Sequence, residues 1–587
     1  RTTTETGSTT ESSGNTVSKN SSRATQNSDS NSEAEGTTHG KTLQLTNENK
    51  TVKNLLNTID KQIERLQRCE SYGAFNCATY VISSDPETNA IVSSGYNALM
   101  RGDNSSLQAS HINNWSVNTV AGKRIKEYLM KFSHPLFASP LKKNVLLSPA
   151  SISNSYELAV NLGLPKKSIN GLPVFEMASF GRNVYETGLA AERTTQIKLG
   201  KIYHMGVEQP TNVALNLKSL AMHTFITGST GSGKSNTVYQ MLRELNKQKV
   251  HFLVVEPAKG EYKHVFGNGT ASVYGTNPYL SPLLKLNPFK FPKGIHVLEH
   301  IDRLIEIFNV CWPMYAAMPA VLKESVERAY ANAGWNMGTS VNKFTDELFP
   351  TFADVLRELN NVVSESAFSD EVKDNYIGSL ATRIKSLTNG IYGRIFDNDE
   401  LGDSKLFDEN VIVDLSRVGS VETKSMIMGI LVMRLQEYRM TSGVMNADLK
   451  HVTVLEEAHN LLKRTSTEQS SESSNLLGKS VEMLSNAIAE VRTYGEGFII
   501  ADQAPGLLDM SVIRNTNTKI IMRLPDAEDR TLVGKSANLS DEQIKELAKI
   551  PTGVAAVYQN NWLQPVLCKV SYEKTEAAYK YQAESSM

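Results

Sequence analysis

The sequence has few cysteines, no long apolar run and no excess of charge of one sign, and each absence excludes a class of protein. Its four cysteines share no CxxC spacing of a zinc site, and they fit a reduced, cytoplasmic compartment. No apolar run approaches the ~20 residues that a bilayer-spanning helix requires, so we expect no membrane segment. Because 61 Lys+Arg are balanced by 62 Asp+Glu, any nucleic-acid contact requires a local cluster of basic residues.

Composition and periodicity separate two N-terminal segments. Residues 1–50 are rich in Ser, Thr, Asn, Gly and Glu and nearly lack apolar side chains, so we predict that they are disordered. After them, apolar residues recur at three- and four-residue steps, which predicts an amphipathic helix. A strand-like run follows at 75–82, and Asp85 before Pro86 predicts the start of a second helix. We therefore predict an N-terminal α+β domain over 51–168.

The pattern changes twice in the rest of the chain. Short strand-like pieces separated by glycines predict a small β-barrel-like segment or ribbon at 169–216. Over 217–570, short apolar strands alternate with helices, which predicts an α/β domain with a mainly parallel sheet. The interval at about 289–391 has a mostly helical period, so we interpret it as a helical insertion in this domain. Residues 571–587 are left as a C-terminal tail.

A glycine-rich loop at 228–235 gives the strongest signal in the sequence. It reads GSTGSGKS, satisfies GxxxxGK[ST], and lies between a predicted strand at 224–227 and a helix, as a phosphate-binding P-loop must. Glycines let the backbone N–H groups turn toward a triphosphate, Lys234 supplies charge to the β- and γ-phosphates, and the Ser235 hydroxyl is a ligand for Mg²⁺. The predicted ATP-binding residues are Gly228, Ser229, Thr230, Gly231, Ser232, Gly233, Lys234, Ser235 and Asn236.

Two adjacent carboxylates follow another predicted strand. Glu456 and Glu457 come directly after the β-branched and apolar run 452–455. A P-loop site needs carboxylates at a strand end, one to hold the Mg²⁺ shell and one to orient the attacking water. We therefore predict that Glu456 is a metal ligand and that Glu457 is the catalytic carboxylate. Asp414 also ends a predicted strand, and we interpret it as the cap of the following helix.

Several segments together make the sequence resemble a known family. They are LAMHTFITGSTGSGKSNT at 220–237, EPAKGEY at 256–262, LEEAH at 455–459, IADQ at 500–503, NTNTKIIMRL at 515–524 and LAKIPTG at 547–553. This set resembles the HerA branch of the HerA/FtsK motor ATPases, and the resemblance covers about 197–570.

The resemblance implies a RecA-like P-loop ATPase core. It also implies hexameric rings that hydrolyse ATP at subunit interfaces and move double-stranded DNA through a central channel, often beside a partner nuclease. Gln503 resembles the family's sensor of the γ-phosphate. Arg492 matches an Arg-x-x-Gly segment and is the first candidate for an arginine that acts on the neighbouring subunit's nucleotide; Arg523 is the second. Relatives usually have Asp at the positions of Glu256 and Glu456, so each carboxylate here is longer by one methylene.

Three functions remain open on the sequence. The first is an ATP-driven DNA translocase of this type, and the second is a motor of a type IV secretion or conjugation apparatus, which would explain the larger N-terminal domain. The third is a nucleotide-gated scaffold that recruits an effector in antiphage defence. For DNA contact, the candidate loops are 259–263 and 285–293, where lysines alternate with Phe289 and Phe291. We interpret those two aromatic residues as packing residues rather than as stacking platforms.

Overall fold

The computed structural model describes most of the chain after residue 47. The described residues are 48–101, 110–163, 166–174, 176–186, 195–312, 314–442, 444–464, 473–574 and 578–581. They belong to two compact units, one within residues 1–175 and one within 176–587. The segment predicted to be disordered lies outside the described residues except for its last three positions. No helix in the described part of the chain combines the length and the apolarity needed to cross a bilayer.

The described residues of the first unit form four helices and two small antiparallel strand pairs. Its elements are α1 (Lys50–Tyr72), β1 (Phe75–Cys77), α2 (Pro86–Arg101), α3 (Val120–Met130), β2 (Phe137–Ala138), β3 (Leu146–Leu147), β4 (Ser151–Ser153) and α4 (Ser155–Asn161). β1 pairs with β4, and β2 pairs with β3. The predicted start of the second helix is confirmed, since the Asp85 carboxylate accepts the backbone N–H of Thr88 at 2.8 Å. The Arg65 guanidinium donates to both carboxylate oxygens of Glu157 and thereby joins α1 to α4.

The second unit is organised on one sheet of eleven strands. The strands of this unit are β5 (Gln196–His204), β6 (Val207–Asn216), β7 (Thr224–Thr227), β8 (His251–Glu256), β9 (Ser272–Gly275), β10 (Trp335–Asn336), β11 (Val341–Asn342), β12 (Val411–Asp414), β13 (His451–Glu456), β14 (Glu496–Asp502), β15 (Thr518–Ile521), β16 (Val554–Gln559) and β17 (Val566–Val570). The order in the sheet is β6-β5-β17-β16-β15-β7-β14-β13-β8-β12-β9, and β10 pairs only with β11.

The sheet has a parallel part and an antiparallel part. Neighbouring strands are parallel from β15 through β7, β14, β13, β8 and β12 to β9, as the alternation of strands and helices predicts. From β15 to the other edge, each strand is antiparallel to its neighbour. Within the segment 169–216 predicted as a small barrel or ribbon, residues 196–216 form the hairpin of β5 and β6, which extends this same sheet beside β17.

Helices cover both faces of the sheet. They are α5 (Leu217–Leu220), α6 (Lys234–Lys247), α7 (Tyr262–Phe266), α8 (Val297–Cys311), α9 (Met318–Asn332), α10 (Phe352–Glu365), α11 (Asp370–Tyr376), α12 (Thr382–Thr388), α13 (Gly390–Ile395), α14 (Asp403–Phe407), α15 (Val421–Ser442), α16 (Ser473–Glu490), α17 (Met510–Arg514), α18 (Ala527–Ser536) and α19 (Asp541–Glu546). A π-turn, Ile377–Ala381, joins α11 to α12. Helices α8 to α13 confirm the predicted helical insertion.

Alternate side chains of the strands enter two separate apolar cores, as the period of two in a β-strand requires. Val255 and Ile500 belong to the core that also contains the insertion helices. Val254 and Ile499 belong to the core on the opposite face, which is covered by α6. Because both faces of the central strands are buried, those strands read as continuous apolar runs in the sequence. Polar side chains are therefore concentrated where these strands end.

Candidate functional site

The glycine-rich loop connects the end of β7 at Thr227 to the start of α6 at Lys234, as predicted. At Gly233 the backbone φ is 111°, a conformation that favours glycine, and a Cβ there would lie 2.9 Å from the Met522 side chain. A Cβ at Gly228 would lie 2.6 Å from Ser232 Oγ. Side chains at these two positions would therefore distort the loop. The residues present fit the predicted phosphate cradle.

Lys234 is buried at the first position of α6. Its Nζ donates to the Gly228 carbonyl at 2.8 Å, which holds the ammonium inside the loop. Burial lowers its pKa, and the charges of Glu456 and Glu457 act in the opposite direction. A cation that has lost part of its hydration gains more from an anionic phosphate than an exposed one does. Lys234 is thus placed for the role that the motif predicts.

The other predicted loop residues differ in what their groups contact. Ser229 donates its backbone N–H to the Arg523 carbonyl at 2.8 Å, and Ser232 donates its own to the Ser229 carbonyl at 3.1 Å. The Asn236 side chain donates to the carbonyl of Ser571 at 3.1 Å, so its amide holds the C-terminal segment. Ser235 lines the cavity beside the loop.

The predicted acidic pair lies across this cavity from the loop. β13 ends at Glu456, and its carboxyl end shares one edge of the sheet with that of β7, with β14 between them. Lys234, Ser235, Glu456 and Glu457 all line the cavity. A serine hydroxyl and a carboxylate are hard oxygen donors of the kind that Mg²⁺ prefers. Ser235 and Glu456 are therefore suitable to hold it.

A hydrogen-bonded chain links the loop to Glu457. The Thr230 hydroxyl donates to Gln503 Oε1 at 2.6 Å, and Gln503 Nε2 donates to Glu457 Oε1. Glu457 itself has a left-handed backbone with φ 46°, which is uncommon for a residue other than glycine. Strained backbone of this kind concentrates at functional sites. The structure thus brings together Lys234, Gln503 and Glu457, three of the four side chains predicted to be catalytic.

Tyr262 lies in the site, although no role was predicted for it from the sequence. Its hydroxyl donates to a carboxylate oxygen of Glu456, and both groups are buried. Burial raises the pKa of Glu456, whereas the Tyr262 hydrogen bond lowers it. The signal was present in the segment EPAKGEY at 256–262, but the direction of a tyrosine six residues beyond a strand end cannot be predicted from spacing alone.

Glu256 holds the turn that carries Tyr262. Its two carboxylate oxygens accept the backbone N–H groups of Glu261 at 2.7 Å and of Tyr262 at 3.2 Å. Burial raises its pKa to about 8, although these two hydrogen bonds act in the opposite direction. The first carboxylate of the segment 256–262 therefore fixes the position of its last residue.

The interpretation of Asp414 as a helix cap is wrong. Helix α15 begins only at Val421, and the buried Asp414 carboxylate instead accepts the Lys263 ammonium at 2.7 Å and the Ser416 N–H at 2.9 Å. An ammonium within reach of a buried carboxylate satisfies both charges, which a helix seven residues away could not do.

A second missed pair lies behind Glu457. The buried Asp502 carboxylate accepts the backbone N–H of His459 at 2.8 Å and lies 2.9 Å from its Nδ1. The hydrogen bond to Asp502 raises the pKa of His459. This pair fixes the turn that follows Glu457, and its signals in the sequence were the histidine of LEEAH and the aspartate of IADQ.

The two candidate arginines lie at opposite ends of the parallel strands. Arg492 is exposed and precedes β14, so it lies at the amino ends of the parallel strands. The P-loop lies at their carboxyl ends, about 20 Å away at ~3.3 Å per strand residue. Arg523 follows β15, and its carbonyl accepts the N–H of Ser229 within the same chain. Only Arg523 is therefore near the loop of its own subunit.

The lysines of the predicted DNA-contact loop 285–293 have acidic partners within the chain. Lys285 pairs with Asp399, and Lys290 pairs with Glu400 at 2.9 Å. Lys293 also pairs with an acidic residue of the insertion, at 3.2 Å. The interpretation of the two phenylalanines at 289 and 291 as packing residues is confirmed, since both are buried in the core.

Comparisons with known proteins agree with this geometry. Residues 197–435 match the model of the helicase HerA central domain. A DNA double-strand break repair helicase HerA of Sulfurisphaera tokodaii is 24% identical over 381 residues, which cover 64% of this chain and 69% of the relative. The protein of the same name from Sulfolobus acidocaldarius is 25% identical over 377 residues, with the same coverage of 64% and 69%.

A solved structure is similar in fold. VirB4 of Thermoanaerobacter pseudethanolicus superposes with a TM-score of 0.50 at 18% identity, and the match covers 64% of this chain and 96% of that one. At this identity the likeness bears on the fold alone, and it supports a P-loop ATPase fold for the second unit. The chain therefore contains a P-loop ATPase domain that is similar to the central domain of the helicase HerA.

Proposed function

We propose that this protein is an oligomeric motor, a hexameric ring, that hydrolyses ATP with Mg²⁺ to translocate double-stranded DNA in the cytoplasm. The observation that carries the proposal is the chain of contacts from Thr230 through Gln503 to Glu457. It joins the predicted nucleotide cradle to the predicted catalytic carboxylate within a HerA-type ATPase domain. A motor requires such a connection, because the state of the nucleotide must be transmitted to the rest of the subunit.

The residues divide the chemistry of hydrolysis among themselves. The amides of 228–235 and the Lys234 ammonium bind the triphosphate. Ser235 and Glu456 would hold Mg²⁺, which would supply positive charge to the bound phosphates. Glu457 orients the attacking water and accepts its proton. Gln503 holds that carboxylate in position until a γ-phosphate competes for its amide.

Oligomerisation is supported by what the cavity lacks. No arginine is among the described residues that line it, although the transition state for phosphoryl transfer is stabilised by such a cation. Arg492 is exposed at the opposite edge of the sheet, where it can act only on another subunit's nucleotide. We therefore assign Arg492 as the trans-acting arginine of a ring and Arg523 as a residue that responds to the P-loop in cis.

The DNA substrate is inferred from the relatives. Two of them carry names that state a role in DNA double-strand break repair. The resemblance of this sequence to the HerA branch implies a motor that works beside a partner nuclease. We therefore propose a nuclease or another effector as the partner here. The lysines of 285–293 are held in ion pairs, so we do not assign them to a DNA channel.

Measurement of ATP turnover with and without duplex DNA tests the proposal. We expect duplex DNA to stimulate turnover and Lys234→Ala to abolish it. Lys247→Ala is the matched control, because Lys247 lies on the same helix, its side chain is exposed, and its salt bridge among the described residues is with Glu244. Turnover that survives in Lys234→Ala would refute the site.

The same assay separates the alternatives. Stimulation by membranes or secretion components instead of DNA would favour a secretion motor, and the absence of any stimulation would favour a nucleotide-gated scaffold. In rings mixed with Glu457→Gln subunits, activity should fall more than in proportion to the fraction of variant. A strictly proportional fall would argue against coupled subunits.

A further inference from the structure

Lys259 is a second lysine that lines the nucleotide cavity. It follows β8 in the segment EPAKGEY and shares the cavity with Lys234, Glu456 and Glu457. Burial lowers the pKa of Lys234 and raises that of Glu456. The charge of Lys259 adds to the first shift and opposes the second. A cation therefore faces the site from the side opposite the P-loop.

The backbone at Lys259 is strained. Its φ is 65°, and the N–H of Gly260 donates to the carbonyl of Ala258 at 2.8 Å, which closes a three-residue turn with Lys259 at its centre. A γ-turn of positive φ is rare, and glycine would occupy this conformation without strain. A lysine at this point thus costs stability that the fold alone does not require. This strained residue also lines the nucleotide cavity, and the two observations together support a role for its side chain there.

The ammonium of Lys259 has no acidic partner in the described part of the chain. Lys263, four residues later, is by contrast buried and paired with Asp414 at 2.7 Å. The two ends of the predicted DNA-contact loop 259–263 therefore differ: one lysine is structural, and the other is exposed toward the nucleotide cavity.

We propose that Lys259 binds the γ-phosphate of ATP, so that this chain grips the triphosphate between two lysines of one subunit, one on each side. The inference rests on the ATPase site but not on DNA translocation. Because the γ-phosphate is absent from ADP, Lys259 gives the site a preference for ATP over ADP. It also places a cation beside the transferring group before any neighbouring subunit contributes one.

Equilibrium binding of ATP and ADP, in the presence of Mg²⁺, tests this role without any need for turnover. In Lys259→Ala we expect ATP affinity to fall about 10- to 100-fold, as for loss of one contact to a charged group, and ADP affinity to stay within about threefold. Lys259→Gly should lose the same ATP affinity while its melting temperature stays equal or rises, because glycine relieves the strain. Lys259→Arg should keep most of the preference for ATP.

Lys249 offers a matched control. It is also an exposed lysine with a left-handed backbone, at φ 61°, but it lies before β8, at the other edge of the sheet. Lys249→Gly should gain stability without any change in nucleotide affinity. Equal weakening of ATP and ADP in the Lys259 variants, or no weakening of either, would overturn the proposal. Loss of DNA affinity with ATP affinity intact would also overturn it and would return Lys259 to the DNA-contact loop.

Discussion

Replacement of Tyr262 by phenylalanine isolates the hydrogen bond that holds Glu456. The substitution removes one hydroxyl and leaves the ring, which packs edge-on against Tyr239 with centroids 4.9 Å apart. Glu456 is nearly fully buried. Water therefore cannot replace the lost hydroxyl donor unless the neighbouring side chains move. We therefore expect the carboxylate to lose its orientation while the P-loop stays intact.

The magnitude follows from the nature of the contact. A buried hydrogen bond to a charged group contributes about 1.5–3 kcal/mol, and loss of a partner that orients a metal ligand lowers metal affinity about 10- to 100-fold. The Mg²⁺ concentration that gives half-maximal turnover should rise by about that factor. Binding of ATP without Mg²⁺ should change little, because Lys234 and the loop amides are not touched.

Two titrations measure the effect: ATP turnover against free Mg²⁺ at saturating ATP, and binding of Mn²⁺ followed by its electron paramagnetic resonance. Tyr330→Phe is the control, because that buried hydroxyl donates to the Phe289 carbonyl in the helical insertion. It makes the same chemical change far from the cavity and should cost stability only. Equal Mg²⁺ dependence of Tyr262→Phe and the native protein would refute the reasoning.

Three further predictions concern the chain of contacts, the arginines and a buried histidine. Gln503→Ala should lower kcat about 10- to 100-fold with little change in ATP affinity, because Glu457 loses the donor that orients it; a change in KM alone would contradict this. Arg492→Ala subunits should regain turnover when mixed with Lys234→Ala subunits if the arginine acts in trans, whereas Arg523→Ala subunits should not. Burial lowers the pKa of His223 to about 4. As the pH falls, the unfolded chain therefore binds a proton at this histidine before the folded chain does. The free energy of unfolding should fall between about pH 6.5 and pH 4, by up to ~1.4 kcal/mol per pH unit. His223→Asn keeps an acceptor for the Phe498 N–H, which lies 3.0 Å from Nδ1 of His223. This variant should lose less stability at low pH, as measured by thermal melts between pH 4.5 and 7.5. The same dependence of melting temperature on pH in both proteins would contradict the prediction.

The sheet of the second unit could be predicted because its central strands are buried on both faces. Runs such as 452–455 and 498–501 are β-branched or apolar at every position, and each is flanked by glycine or polar residues, so their existence follows from composition. The order of the strands could not be predicted, since nothing local states which strand neighbours which. The hairpin of β5 and β6 illustrates this: its strands were recognised, but their place beside β17 depends on pairing over more than 350 residues.

The first unit was less predictable because its signals are weak. The apolar run 75–82 read as one strand, yet only Phe75–Cys77 pairs, because its partner β4 has just three residues. Helix starts were more secure, since a cap such as Asp85 acts on residues three positions away. Local chemistry is readable from sequence, whereas the length of a pairing is decided by the partner.

In the site, sequence predicted the residues that act on phosphate and missed those that position them. Lys234, Ser235 and Glu457 follow from a motif or a strand end, where backbone geometry alone fixes their direction. Tyr262 acts from a turn, and its hydroxyl meets Glu456 at a sequence separation of 194 residues. Such contacts depend on the packing of two strand ends, and no spacing rule encodes them.

Tyr262 also links the two glutamates that end β8 and β13. The backbone N–H of Tyr262 is held by Glu256, and its hydroxyl holds Glu456, so one residue joins the ends of β8 and β13. Shortening Glu456 to aspartate withdraws its carboxylate by about one C–C bond, ~1.5 Å, which breaks the contact with the hydroxyl. Glu456→Asp and Tyr262→Phe should then remove the same interaction.

A double-mutant cycle on Mg²⁺ affinity tests that coupling. The double variant should be little worse than either single variant, with an interaction energy of about 1–2 kcal/mol, because residues in direct contact are not additive. Glu256→Asp should show the same coupling to Tyr262→Phe more weakly, since it holds the turn and not the hydroxyl. Strict additivity of Glu456→Asp and Tyr262→Phe would mean that the longer carboxylate does not depend on the tyrosine, and the extra methylene at 456 would then have to be accommodated by the metal shell itself.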